Sequence, residues 1–359
     1  MEPPLASPES ATATASEPPK PGLLGAVGWC LLYVLLVQIV LSVVAILTYL
    51  GILALTRPAA YRAGLQYLSN FDAIFDSALG AQLLLVGLAV IPLGTLALSY
   101  WALRQYAGPG WAHEIGLTRL PRFSQLVLTL IAVPAVGVLG ETVFELAKKV
   151  VPSLEQLGDL PDAQTALRAT TQWPWWLAVL LIGVGPGVGE ELFCRGLLGR
   201  GLVGRYGLVA GVLVTSVLFG LLHVDPPHAV AAACIGVVLH LIYLLSRSLW
   251  LPILLHTANN SVAALMLPGR SWTLPGIAQL ELAQQTWPVL TNTMAAGLLL
   301  AVLWAMYQCR PATAQAAASS GPERSGSGPA PRKRWAIMLV LIWLGGFITT
   351  VSLAQFNRG

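Results

Sequence analysis

Glu190, Glu191 and Arg195 stand within six residues of one another in a stretch that otherwise reads as a membrane-spanning helix. An ionisable side chain at the centre of a bilayer costs about 2.5 to 3.5 kcal/mol on insertion scales, whereas an apolar residue returns only about 0.3 to 0.6. Three such groups therefore point into a protein-lined cavity rather than into lipid, and a cluster of this kind marks a functional site. Glu191 and Arg195 are four residues apart, the spacing of an intrahelical ion pair, while Glu190 is turned about 100° away and left free.

Two further polar constellations interrupt apolar helices downstream. In SVLFGLLHVD, Phe219 and His223 are separated by four residues and share a helix face. In WLPILLHTANNS, His256 and Asn260 repeat that spacing. A free carboxylate beside a neutral imidazole can activate water as a general base, directly or through a metal. A second imidazole with a carboxamide supplies donors where an oxyanion develops on a carbonyl. The set suits hydrolysis of a peptide bond at a membrane.

Other polar residues have plainer readings. Glu141 and Glu145 precede Lys148 and Lys149 at the end of a span and predict a helix-end ion pair. His240, in VVLHLIYLL, reads as a packed structural histidine, and His228, in the turn DPPH, as an accessory group within reach of the site. Cys30, Cys194, Cys234 and Cys309 are isolated, without CxxC spacing, and read as small buried apolar residues. No Walker A loop, no GxGxxG after a strand and no HExxH sequence is present.

The elements that must position these groups follow from composition. Of the 359 residues, 56% are hydrophobic and 10% charged, with 12 tryptophans, and the mean hydropathy is +0.71. That is a polytopic membrane protein. Nine apolar runs fall near 23–55, 78–103, 123–147, 174–194, 207–223, 229–246, 249–267, 288–308 and 335–355. They are too long and too continuous for barrel strands of about ten residues, so the fold class is all-α, a bundle of eight or nine transmembrane helices with the chemistry in helices 4 to 7. Residues 1–21 read as a disordered tail, 22–160 as helices 1 to 3, 161–268 as the catalytic core, 269–309 as a loop and helix 8, 310–334 as a flexible basic linker, and 335–359 as a ninth helix. With nine spans and a cytoplasmic N-terminus, thirteen of the 20 Lys and Arg fall on the inside, Arg195 among them, as the positive-inside rule asks. The net charge of +4 follows from this asymmetry. The basic residues form no stripe with interleaved aromatics, so no nucleic-acid partner is expected.

The three constellations resemble, in order and spacing, the EExxxR, FxxxH and HxxxN motifs of the CPBP intramembrane proteases, also called the Abi or CAAX prenyl protease 2 family. Glu190-Glu191-Leu-Phe-Cys-Arg195, Phe219-Gly-Leu-Leu-His223 and His256-Thr-Ala-Asn-Asn260 carry the likeness, which covers about residues 174–265. The resemblance implies an intramembrane endopeptidase in which Glu190 and His223 activate water, His256 and Asn260 stabilise the oxyanion, and Glu191 with Arg195 organise the site. Its implied substrates are prenylated CAAX-like or other membrane-associated peptides. It leaves two mechanisms open: Zn²⁺ held by Glu190, His223 and His256, or a metal-free glutamate mechanism using the same residues.

Two other functions would also bury such groups. An ion-coupled carrier places carboxylates, His and Arg near the midplane, although the two halves of this chain show no self-similarity. A non-catalytic membrane scaffold or immunity protein would keep the fold alone. The sequence is silent on oligomeric state.

Overall fold

The computed structural model describes residues 21–65, 77–152, 167–267, 287–309 and 330–356, the side chains of 330–334 and 354–356 excepted. The tail ending at Lys20, the loop 268–286 and the linker 310–329 lie outside them. The described residues are helical, with no strand. We number the main helices α1 (Leu23–Thr56), α2 (Ala78–Ala107), α3 (Phe123–Ala147), α4 (Trp175–Tyr206), α5 (Leu208–Leu221), α6 (Pro226–Ser246), α7 (Trp250–Leu265), α8 (Val289–Gln308) and α9 (Ala330–Phe356).

Seven of these are long and apolar enough to cross a membrane; α5 and α7 are not among them. The apolar runs at 207–223 and 249–267 predict full spans. Instead α5 has 14 residues and α7 has 16, about 21 and 24 Å at 1.5 Å per residue against about 30 Å of hydrocarbon. Turn chemistry explains both. Gly207 (φ 81°) opens α5, and a turn with Val224 at φ 61° closes it before Pro226 starts α6. Ser248 and Leu249 are held by the 116–119 turn, where Leu249 N–H donates to Gly116 O (3.4 Å) and Ser248 Oγ to Arg119 O (2.6 Å), so α7 begins only at Trp250. α7 carries His256 and Asn260, and His223 lies in the turn that closes α5.

Packing follows small residues, as expected where lipid offers no hydrophobic drive for helices to associate. α4 and α7 run antiparallel with Gly183 and Gly187 set against Ser261 and Thr257. A Cβ on Gly187 would stand 2.9 Å from Thr257 N, so only glycine allows the two backbones to lie that close. The ninth helix docks on the eighth, with Trp343 filling the notch at Gly297 and Ala336, Val340 and Phe347 buried along the same face.

The helix ends sort into two faces. Leu23 N–H donates to Tyr206 Oη, Tyr243 Oη to Ile115 O, Trp250 Nε1 to Leu117 O and Arg122 Nη1 to Cys309 O, and Arg200 pairs with Glu114. The start of α1, the ends of α2, α4 and α8, and the α6–α7 turn therefore share one end of the bundle with Arg119, Arg122, Arg200 and Arg205. Lys148 lies at the end of α3, the other way. One basic residue counted for the inside is not at a helix end at all. Arg195 is 0% exposed inside the bundle, because its charge is consumed by a buried carboxylate.

Candidate active site

Glu190 is 15 residues from Trp175 and 16 from Tyr206, which places it about 22 to 24 Å from either end of α4. Around it α4 is not uniform. A regular stretch, Gly185–Glu191, is flanked by wide-turn π-helical stretches at Val179–Val184 and Leu192–Gly199. Glycines at 183, 185, 187, 189, 196 and 199 reduce the local preference for the tighter helix, and such π turns recur at functional sites.

The ion pair that the sequence spacing predicts is formed. Arg195 Nη1 lies 2.7 Å from Glu191 Oε1, with both side chains 0% exposed. Arg195 Nη2 donates to Gly236 O on α6 (2.9 Å), and the guanidinium stacks 4.6 Å from the Phe219 ring centroid on α5. One arginine thus ties three helices together, and this web of partners is what makes a fully buried charge tolerable.

The same Glu191 oxygen accepts from His256 Nδ1 at 2.8 Å. An ionised carboxylate can only accept, so the contact assigns a proton to Nδ1 and aims Nε2 away from Glu191. Nε2 faces Glu190 Oε2 at 4.0 Å. Glu190 is 15% exposed, and its Oε2 has no hydrogen-bond partner. One carboxylate is held on two sides and the other is uncommitted.

Phe219 is the hub of the rest. It is 2% exposed, and its ring meets His223 at 5.0 Å and His256 at 5.7 Å, edge to face. His223 Nδ1 donates to Phe219 O (3.1 Å), since a carbonyl only accepts, and this leaves its Nε2 lone pair available. Asn260 sits one turn beyond His256 and donates to Ile182 O at 3.3 Å on the α4–α7 seam. The structure therefore gathers Glu190, Glu191, Arg195 and His256 directly, joins His223 through Phe219, and sets Asn260 beside them on the face towards α4.

Glu190, His223 and His256 are the three residues considered as Zn²⁺ ligands. Among the described residues no three His, Cys, Asp or Glu side chains form a metal-holding group. The hydrogen bonds above occupy Nδ1 of His256 and of His223 and leave Nε2 of each open.

The remaining sequence expectations divide. Glu145 pairs with Lys148 (3.6 Å) at the end of α3, and His240 is 1% exposed, packed against Gly199 and Tyr243. His228 does reach the site, its ring 4.8 Å from that of His223. The cysteines correct the expectation of uniform burial: Cys30 and Cys194 are buried, but Cys234, on the outer side of α6, is exposed and Cys309, just past the end of α8, is half-buried. Two contributors were not anticipated. Tyr33 of α1 stacks on Phe193 (5.1 Å, 29°), and Gln38 Nε2 donates to Leu222 O (3.0 Å), next to His223. A lone Gln in an apolar run was the available signal.

Residues 171–262 match the family described as Rce1-like, the type II CAAX prenyl endopeptidases. That match supports the CAAX protease (CPBP) family for this core. Comparison with curated proteins and with solved structures gave no match. The CAAX protease match begins just before α4 and ends within α7, so it takes in every motif residue described above. The chain is a multi-pass membrane protein, and at the family level the match supports a CAAX-type intramembrane protease.

Proposed function

We propose that this protein hydrolyses a peptide bond at the membrane by a metal-free glutamate mechanism, on substrates with a prenylated CAAX-like C-terminus. The observation that carries this reading is the Glu191–His256–Glu190 array at mid-helix: one carboxylate locked by Arg195 and an imidazole, the other without a partner.

Each step uses a named atom. Glu190, assisted by His223, takes a proton from water as the oxygen attacks the scissile carbonyl. The oxyanion that forms lies against His256 Nε2–H and Asn260 Nδ2–H. Because the Nδ1 proton of His256 belongs to Glu191, donation from Nε2 requires the imidazolium, and the carboxylates at 2.8 and 4.0 Å are placed to support that charge. Collapse breaks the C–N bond, and the proton held by Glu190 passes to the leaving amine. The products are a new carboxylate and a free amine.

The basic end of the bundle faces the cytoplasm in this reading. A reporter fused after Arg334 reads cytoplasmic and one at Gly359 external; the same side for both overturns the nine-span arrangement.

The experiment is proteolysis by the purified protein in nanodiscs, with a farnesylated Cys-aliphatic-aliphatic-X peptide and its unprenylated twin. Release of the C-terminal tripeptide from the prenylated peptide supports the proposal. Cleavage of neither peptide overturns the function, and equal cleavage of both overturns the substrate class.

A further inference from the structure

α1 lies outside the matched segment, yet it turns a polar face to the site. Its stretch Tyr33–Leu41 is π-helical, and in such a stretch the backbone hydrogen bonds run from residue i to i+5, which stacks residues five apart on one face. Tyr33 and Gln38 are such a pair. Tyr33 is 1% exposed, and its ring lies on Phe193, which is three residues on from Glu190 along α4. Its hydroxyl lies near Thr95 and Gln38 and has no hydrogen-bond partner. The Thr95 hydroxyl proton is already given to Ile91 O at 2.8 Å. Glu190 Oε2 is a buried acceptor without a donor.

A buried donor without an acceptor on α1 and a buried acceptor without a donor on α4, one turn from the ring that Tyr33 stacks on, call for an explanation. A charged carboxylate is a stronger acceptor than the neutral oxygens of Thr95 and Gln38. We propose that α1 completes the active site. Tyr33 is a positioning residue whose hydroxyl donates to the Glu190 carboxylate and fixes the oxygen that receives the proton from water, and Gln38, through Leu222 O, fixes the loop that carries His223. This inference rests on the function proposed above.

The test uses the full-length chain in nanodiscs with the farnesylated peptide. Tyr33→Phe keeps the stack on Phe193 and removes only the hydroxyl. The expected result is a kcat lower by about tenfold or more, the size of one hydrogen bond to a charged group, with KM and melting temperature unchanged. Gln38→Leu lowers kcat by a smaller factor. A Tyr33→Phe variant with wild-type kcat overturns the inference and leaves the proposed function standing. A kcat loss that tracks a lower melting temperature assigns Tyr33 to packing and likewise overturns it. Absence of cleavage by the wild-type chain overturns the proposed function and this inference with it.

Discussion

α3 and α4 each carry a glutamate followed within one turn by a basic residue, and the two pairs live under different physics. Glu145 and Lys148 meet at 3.6 Å with side chains 17% and 37% exposed, at a helix end where the lysine is open to water. Glu191 and Arg195 meet at 2.7 Å with both side chains fully buried, halfway along a membrane helix. The first pair is a surface contact that screening and side-chain entropy leave almost neutral. The second cannot lose one partner without stranding the other in a medium that does not solvate charge. A bundle keeps such a pair where something else depends on it, and here His256 hangs from the same carboxylate oxygen.

The contrast can be broken at several points. Arg195→Met leaves Glu191 buried beside His256 without its counter-ion. The expected cost is about 3 to 5 kcal/mol of stability, read as a lower melting temperature in detergent, together with loss of cleavage. An unchanged melting temperature would mean that the buried pair is as dispensable as the one on α3.

Glu190→Ala separates stability from chemistry. It removes a largely buried charge, so the melting temperature holds while turnover drops by about 10² to 10⁴, the range for a lost general base. Retained turnover would remove Glu190 from the mechanism.

His256→Ala and Asn260→Ala each lower kcat by about 10² to 10³ with little change in KM, as for an oxyanion donor that acts in the transition state. Steady-state kinetics decide this, and a change confined to KM would assign both residues to substrate binding. At the small end, Lys148→Ala changes stability by no more than about 0.5 kcal/mol and leaves cleavage intact in the same assays.

Much of this arrangement was legible in the chain. The spacing of Glu191 and Arg195 specifies the ion pair, and nine apolar runs sit where the nine main helices lie, because a bilayer leaves few ways to satisfy a backbone. What escaped was of two kinds. The shortness of α5 and α7 depends on turns at Gly207, Val224 and Ser248, which hydropathy does not register. The part played by α1 depends on a wide-turn backbone that brings Tyr33 and Gln38 to one face, whereas the ordinary helical period would set residues five apart well around the axis. The site residues themselves were readable as a cluster. The division of labour between the two glutamates became concrete only when one oxygen of Glu191 was found between Arg195 and His256.

The central claim is that water activated by protein groups alone cuts the peptide. The most direct measurement is cleavage of the farnesylated peptide in oxygen-18 water, with and without a strong chelator, followed by mass spectrometry of the farnesyl-cysteine product. The account predicts one oxygen-18 atom in the new carboxylate, at the same rate in chelator as without it. A product free of oxygen-18, or a rate abolished by chelator and restored by added Zn²⁺, would contradict it.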